Sequence, residues 1–204
     1  VLFFGQGGTE GGNALADILT GAVSPSGKLT DTWGKRYEDY PCADTFSHRN
    51  GDLENEEYAE GIYVGYRWFE KKAITPRYPF GYGLSYTTFD KQIENFKDNG
   101  DTVTFDVTVE NTGSVAGKDV VEIYYTAPYT NGGIEKAAAN LIAFEKTDSI
   151  EPGESQTKSF TINKEDMASY DSEGIKISGG GYILEAGEYT ISLRSDSHTV
   201  LGEE

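Results

Sequence analysis

The sequence predicts a mainly β protein, a β-sandwich preceded by a partial α/β segment. Three observations carry this reading. From Asp90 onward, short apolar–polar alternations recur between turn signals, a spacing that fits around seven strands over about 110 residues. Residues 1–33 have a different grain: an apolar run, a helical period, then a short extended stretch. Composition agrees, since 14 Tyr, 10 Phe, 2 Trp and 25 Gly in 204 residues favour strands and turns over helices.

Each element has a local reason. Residues 1–4 are wholly apolar and end at Gly5, which reads as a buried, parallel-type strand. In TEGGNALADILTG, Thr9 is placed to cap a helix, and Glu10 sits in the first turn, where a carboxylate favours the positive dipole end. Leu15, Ile18 and Leu19 share a face, and Gly21 supplies the stop. Gly11 and Gly12 each cost helix stability, roughly 1 kcal/mol against Ala, so their presence suggests close backbone packing. Ser24 to Gly27 then turns the chain into an expected short strand over residues 28–33. A strand–helix–strand unit of this kind cannot bury both faces alone, so residues 1–33 are expected to be poorly held without neighbouring strands.

Residues 38–60 carry eight acidic residues against one Arg, which reads as a solvated surface loop or, as the alternative, a cation site; the spacing does not fit an EF-hand loop. From Tyr58 to Phe89, ten of 32 residues are aromatic. EGIYVGYRWF is expected as a strand or extended arm, and PFGYGLSYTTF as a tight connector laid on an apolar surface. The rings serve core packing or, alternatively, a sugar-stacking platform.

The sandwich pattern begins with the hairpin signal Asn99-Gly100. Val103, Phe105, Val107 and Val109 then alternate with polar residues. Val121, Ile123 and Tyr125 make the next strand, with an irregular tip around Asn131 to Gly133. Residues 141–144, 157–162 and 189–193 follow the same logic. Tyr189, at the head of the last of these, is placed like a tyrosine corner.

Charge and motifs exclude several function classes. Seventeen basic against 34 acidic residues give −17, which argues against nucleic acid and anionic membrane as partners. No apolar run approaches the ~20 residues of a membrane-spanning helix. The single cysteine, Cys42, permits no internal disulfide and leaves the compartment unread. The only methionine is Met167, and the opening VLFFG is not a signal peptide, so a fragment or processed product is expected. His48 and His198 stand outside any nucleophile-elbow context, and Cys42 has no partner at zinc spacing. GQGGTEGG misses the dinucleotide G-x-G-x-x-G spacing, and Glu10 would repel a phosphate. No metal and no cofactor is expected. Paired carboxylates of the glycosidase kind remain possible, but sequence does not show which of 34 acids meet.

Five ordered stretches carry a resemblance. GGTEGGNALADILTGAVSPSGKLTDTW, EGIYVGYRWF, YPFGYGLSYTTF, SIEPGESQTKSF and AGEYTISL resemble the C-terminal part of glycoside hydrolase family 3, a family that includes β-glucosidases and β-xylosidases. The resemblance covers nearly the whole chain. It implies residues 1–36 as the tail of an α/β sandwich domain, residues 37–89 as connector and residues 90–204 as a fibronectin type III-like domain. The family commonly shows Pro-Gly-Gln-Glu-Gly-Gly before Asn-Ala. Here the approach departs from that pattern, while Glu10 matches the motif's glutamate.

The resemblance further implies a parent enzyme that hydrolyses a β-linked glycoside or oligosaccharide with retention. The nucleophile would lie on a barrel domain, and the acid/base glutamate in an earlier part of the α/β domain. Neither falls within this chain, so no catalytic residue is assigned and the isolated chain is expected to be inactive. The missing barrel and the remainder of the α/β domain would be its partners. Glu10 is the one candidate substrate-binding residue, at a strand-to-helix turn where α/β folds bind ligands; the alternative is a first-turn glutamate that stabilises its helix. Arg67 and Trp68 would face substrate or, alternatively, form a buried ion pair with cation–π packing. Two rival readings stay open: a carbohydrate-binding module using Tyr124, Tyr125, Tyr129, Tyr170 and Tyr182, and a structural immunoglobulin-like spacer.

Overall fold

A computed structural model describes residues 2–204. Two helices, α1 (Gly11–Thr20) and α2 (Tyr66–Lys72), precede all nine strands found among the described residues. The strands are β1 (Phe89–Asp98), β2 (Thr102–Asn111), β3 (Val120–Thr126), β4 (Asn140–Lys146), β5 (Ser155–Asn163), β6 (Ser169–Asp171), β7 (Gly181–Ile183), β8 (Thr190–Asp196) and β9 (Thr199–Glu203). They pair antiparallel as a three-stranded sheet β1-β2-β5, a four-stranded sheet β4-β3-β8-β9 and a small hairpin β6-β7.

The two larger sheets face one another, because alternation gives each strand one apolar side. Val103, Phe105, Val107 and Val109 of β2, with Phe160 and Ile162 of β5, meet Val121 and Ile123 of β3 and Ile191 and Leu193 of β8. Phe105 stacks on Phe160 at 5.5 Å between centroids. The β1–β2 hairpin closes as expected at Asn99-Gly100, where the Asn99 amide donates to the Thr102 carbonyl and Gly100 takes φ +92. The Tyr189 hydroxyl donates to the Glu185 carbonyl at 3.1 Å, which realises the corner expected there.

Three expected elements take another form. No strand forms over residues 2–4; Leu2, Phe3 and Phe4 are exposed, and Val1 lies outside the described residues. The physical reason is that no neighbouring strand stands beside them to complete a ladder. Residues 28–33 also form no strand. They run extended along residues 77–82 with irregular bonds: Leu29 N–H to Tyr82 O, Gly81 N–H to Leu29 O and Trp33 N–H to Tyr78 O. Only the Trp33–Tyr78 pair has bridge geometry. Finally, the expected strand over EGIYVGYRWF gives way to α2. Gly65 at φ +56 breaks the alternation, and Tyr66 and Phe69, three apart, then face the same side of a helix. Ala73 in the left-handed region stops it.

In α1, Glu10 rather than Thr9 occupies the N-cap position, and no side chain bonds the free amides there. Gly21 at φ +78 ends the helix, its amide donating to Ile18 O. Gly11 is tightly packed, since a β-carbon there would lie 2.9 Å from the Phe4 ring, whereas Gly12 faces open space.

A core built from four strands makes truncation within it costly. Phe105→Ala is predicted to lower unfolding free energy by about 3–5 kcal/mol, and Tyr189→Phe by about 1 kcal/mol. Urea midpoints of the two variants against the parent chain measure both effects.

Candidate functional site

The outer face of the four-stranded sheet is the most chemically loaded part of the molecule. On β3, Val121 and Ile123 point into the core, so Glu122 and Tyr124 point the other way. Cross-strand pairing puts Arg194 opposite Glu122 and Ser192 opposite Tyr124. All four are buried, as are Asp196 and Ser197. A polar layer on an outer sheet face is ordinarily solvated; here the aromatic connector covers it.

The cover is built from residues 66–82. Tyr66 packs edge-on to Tyr124 at 5.8 Å and against Phe80 at 5.4 Å, and its hydroxyl accepts from the Leu141 amide at 3.0 Å. Ser197 N–H donates to Phe80 O at 2.9 Å. Gly81 is glycine for two reasons. It takes φ +84, and any β-carbon would collide with the Glu122 carboxylate. At the far end of the cover, His198 Nδ1 lies 2.5 Å from Glu70 Oε1 of α2.

Charge is arranged unevenly across this joint. Asp119, just before β3, binds Lys28 at 2.8 Å and Lys91 at 2.9 Å. Lys91 also donates to Val120 O at 2.9 Å. One carboxylate therefore ties the segment before the connector, strand β1 and strand β3. Burial works to raise the Asp119 carboxyl, but Lys91 and Lys28 together hold it below its ordinary value. Arg194 is taken by Ser192 Oγ and Ser197 O and lies 5.2 Å from the Tyr124 ring centroid. Glu122 receives only the Tyr124 hydroxyl, at 2.8 Å, and no cation pairs with it among the described residues. Burial pushes its carboxyl up to about 7, against lowering influences from Tyr124, Lys28 and Lys91.

The residues singled out from sequence fall elsewhere. Glu10 is exposed at the start of α1 and accepts a 2.5 Å bond from Asn13 Nδ2. Trp68 donates its indole N–H to Asp39 O at 3.0 Å, and Lys72 lies over its ring. Arg67 lies over Tyr66 with its Nε buried and without a hydrogen-bond partner, and no ion pair of Arg67 is found among the described residues. Cys42 donates to Glu60 at 3.3 Å. No cluster of His, Cys, Asp and Glu among the described residues is grouped to hold a metal. Of the five tyrosines considered as a platform, Tyr124 is fully buried and Tyr125 half-buried. Tyr170 and Tyr182 are exposed, paired across the β6–β7 hairpin at 5.1 Å.

A cavity of about 410 Å³ opens at one end of the sandwich between Phe96, Leu184 and Tyr189. Two of its three lining acids are engaged, Asp98 by Lys164 and Glu185 by Lys136 and Lys176; the third is Glu204. A smaller cavity of about 200 Å³ lies beside Glu122, walled by Lys28, Leu29, Phe80, Leu141 and Phe144.

Fold and joint together define a two-part module, an incomplete α/β segment whose aromatic connector is seated on a seven-stranded sandwich. Comparison with known proteins makes this specific. The chain matches the Glycosyl hydrolase family 3 C-terminal domain over residues 1–86 and the Fibronectin type III-like domain over residues 119–197. It therefore carries a glycosyl hydrolase family 3 C-terminal domain sequence followed by a fibronectin type III-like domain. It is 46% identical to β-glucosidase A of Butyrivibrio fibrisolvens, over 95% of this chain and 25% of that protein. It is 45% identical to a β-glucosidase of Ruminococcus albus, over 96% of this chain and 20% of that protein. β-Glucosidase 3B of Thermotoga neapolitana, solved in complex with glucose, superposes with a TM-score of 0.87 at 38% identity, covering 98% of this chain and 27% of that one. The chain thus spans about a quarter of the length of the curated relatives it matches.

The polar joint yields a prediction. Asp119→Asn leaves Lys91 buried without its counter-charge and is expected to cost about 3 kcal/mol near neutral pH. Because the native carboxyl is held low, the parent chain's advantage should be present above the ordinary aspartate range and fade as pH falls through and below it. Urea midpoints of the two proteins across that acid range measure the effect.

Proposed function

We propose that the chain is the accessory portion of a retaining, exo-acting β-glucosidase-type glycoside hydrolase. In this reading residues 1–36 complete an α/β domain, residues 37–89 connect, and residues 90–204 form the sandwich that braces the two. The observation that carries it is the number of uncovered apolar side chains at this end of the chain. Leu2, Phe3, Phe4, Leu19, Val23 and Leu84 are all exposed, although α1 has the amphipathic pattern of a helix packed on a sheet. Such exposure fits the remainder of an α/β domain. The relatives, named as β-glucosidases and four to five times as long, supply the kind of protein that remainder belongs to.

Substrate is a β-linked glucoside or oligosaccharide bound by the whole enzyme, with both catalytic carboxylates outside this chain. Glu10 faces solvent at the start of α1. In the assembled domain it would stand at the strand-to-helix turn where a sugar hydroxyl is recognised. No helix among the described residues is long and apolar enough to cross a membrane.

The exposed Tyr170–Tyr182 pair favours a second reading, a non-catalytic carbohydrate-binding module, because sugar CH faces stack on exposed rings. Affinity gels containing cellulose, xylan or β-glucan separate the two. Retardation abolished by Tyr182→Ala supports the binding module, and unretarded migration on all three removes it.

The leading reading predicts that the pure 204-residue chain does not hydrolyse an aryl β-glucoside. Turnover above that of a heat-denatured control would overturn it. In a full-length enzyme carrying this segment, Glu10→Ala is predicted to raise KM for the glucoside by about tenfold, the loss of one or two sugar hydrogen bonds. An unchanged KM would return Glu10 to a helix-terminal role.

A further inference from the structure

We propose that Glu122 makes the seat of the connector on the sandwich a protonation-dependent joint, closed while its carboxyl is neutral and loosened when it ionises. The inference concerns this chain alone and does not depend on the parent activity.

The geometry is specific. The carboxyl lies at the centre of the joint, against the Gly81 backbone with no room for a β-carbon between them. Connector residues cover it, and 3% of Glu122 is exposed. The cations that face it are already committed. Lys28, from the segment before the connector, and Lys91, from β1, are both held by Asp119. Arg194, its cross-strand neighbour on β8, is bonded to Ser192 and Ser197. Lys146 of β4, at the rim of the adjoining cavity, donates to Ser26 O. The remaining titratable neighbours, Asp196 of β8 and the phenols of Tyr124 on β3 and Tyr66 on α2, bring no positive charge. An ionised Glu122 would thus be a buried carboxylate with one hydroxyl donor, and such a group is costly to keep dry.

Two routes relieve that cost. One is protonation, which burial favours, pushing the carboxyl up to about 7. The other is hydration, and the cavity beside the carboxyl supplies the path once Phe80 and Gly81 lift away. The sign follows from linkage. With the folded value raised above the unfolded one, the contribution of Glu122 is fully present below the ordinary glutamate range. It declines as pH rises from there towards 7 and is spent above it. Asp119, which shares the charges of Lys28 and Lys91 with Glu122, has the opposite dependence, so the seat is firmest in mildly acid solution.

The test uses the full chain. The side-chain carboxyl of Glu122, assigned by carbon-detected NMR, is expected to titrate about two pH units above an ordinary glutamate. In parallel, the Ser197 amide, which bonds Phe80 O across the joint, should exchange with an opening constant that rises at least about tenfold from about pH 5.5 to about pH 8, after correction for intrinsic exchange. In Glu122→Gln that rise should vanish while β2 stays protected. A carboxyl midpoint in the ordinary glutamate range overturns the proposal. So does a Ser197 response that persists unchanged in Glu122→Gln. The carboxyl titration needs no variant, so it decides the matter even where Glu122→Gln fails to fold.

Discussion

The seat of the connector on the outer face of the four-stranded sheet is the contact on which the rest of this structure depends. The sandwich would close its own core without it, because the apolar faces of β2, β5, β3 and β8 already meet. What the sandwich cannot do alone is shield Glu122, Tyr124, Ser192 and Arg194 on the other side of β3 and β8. Tyr66, Phe80 and Gly81 provide that shield, and in return the connector gains a defined path. The segment before the connector is tied to the sandwich directly by Lys28–Asp119 and Lys146–Ser26 O, and is otherwise positioned through the connector. Residues 28–33 bond to residues 77–82, Tyr86 donates to Ile18 O at the end of α1, and Ser24 pairs with Ser85.

The joint is polar rather than greasy, and that choice has consequences. An apolar interface of the same area would be stable over a wide pH range. Here two neighbouring carboxyls respond in opposite directions. Asp119 is pinned ionised between Lys28 and Lys91, while Glu122 is driven towards its neutral form by burial. Stability of the seat then becomes a property of solution conditions as well as of packing. In the proposed reading, where the segment sets one domain against another, orientation and its tolerance matter more than a few extra kcal/mol of stability.

Much of this was legible in the sequence, for identifiable reasons. Strict alternation in β2 and the Asn-Gly turn leave little freedom, so the hairpin and core strands follow from period and turn chemistry. The Gly-Glu-Tyr step before β8 likewise places the Tyr189 corner. The edges were less legible. Residues 2–4 and 28–33 look like strands locally, but a strand exists only beside a partner. The α2 segment shows a short alternation that Gly65 cancels, and its true period of three to four emerges only across Tyr66, Phe69 and Glu70. A connector laid on an apolar surface was expected of PFGYGLSYTTF; the buried polar groups beneath it, Glu122, Ser192 and Arg194, were missed. A signal was present in KDVVEIYY: Val120 and Tyr124 make the second face of β3 as apolar as the first. A strand apolar on both faces is covered on both, and a glutamate within it is a buried carboxylate. Glu10, in contrast, was reached through resemblance, and its exposed position at the start of α1 gives it no local partner beyond Asn13.

Denaturant-dependent native-state hydrogen exchange in mildly acid solution tests the central claim most directly. The amides of Leu29, Trp33 and Gly81, which depend on the seated connector, are followed beside those of Phe105 and Val107 in the core. Seating through one contact predicts that Leu29, Trp33 and Gly81 share one opening free energy and one denaturant slope, both below those of Phe105 and Val107. Opening of Leu29 and Trp33 while Gly81 stays protected would contradict the account.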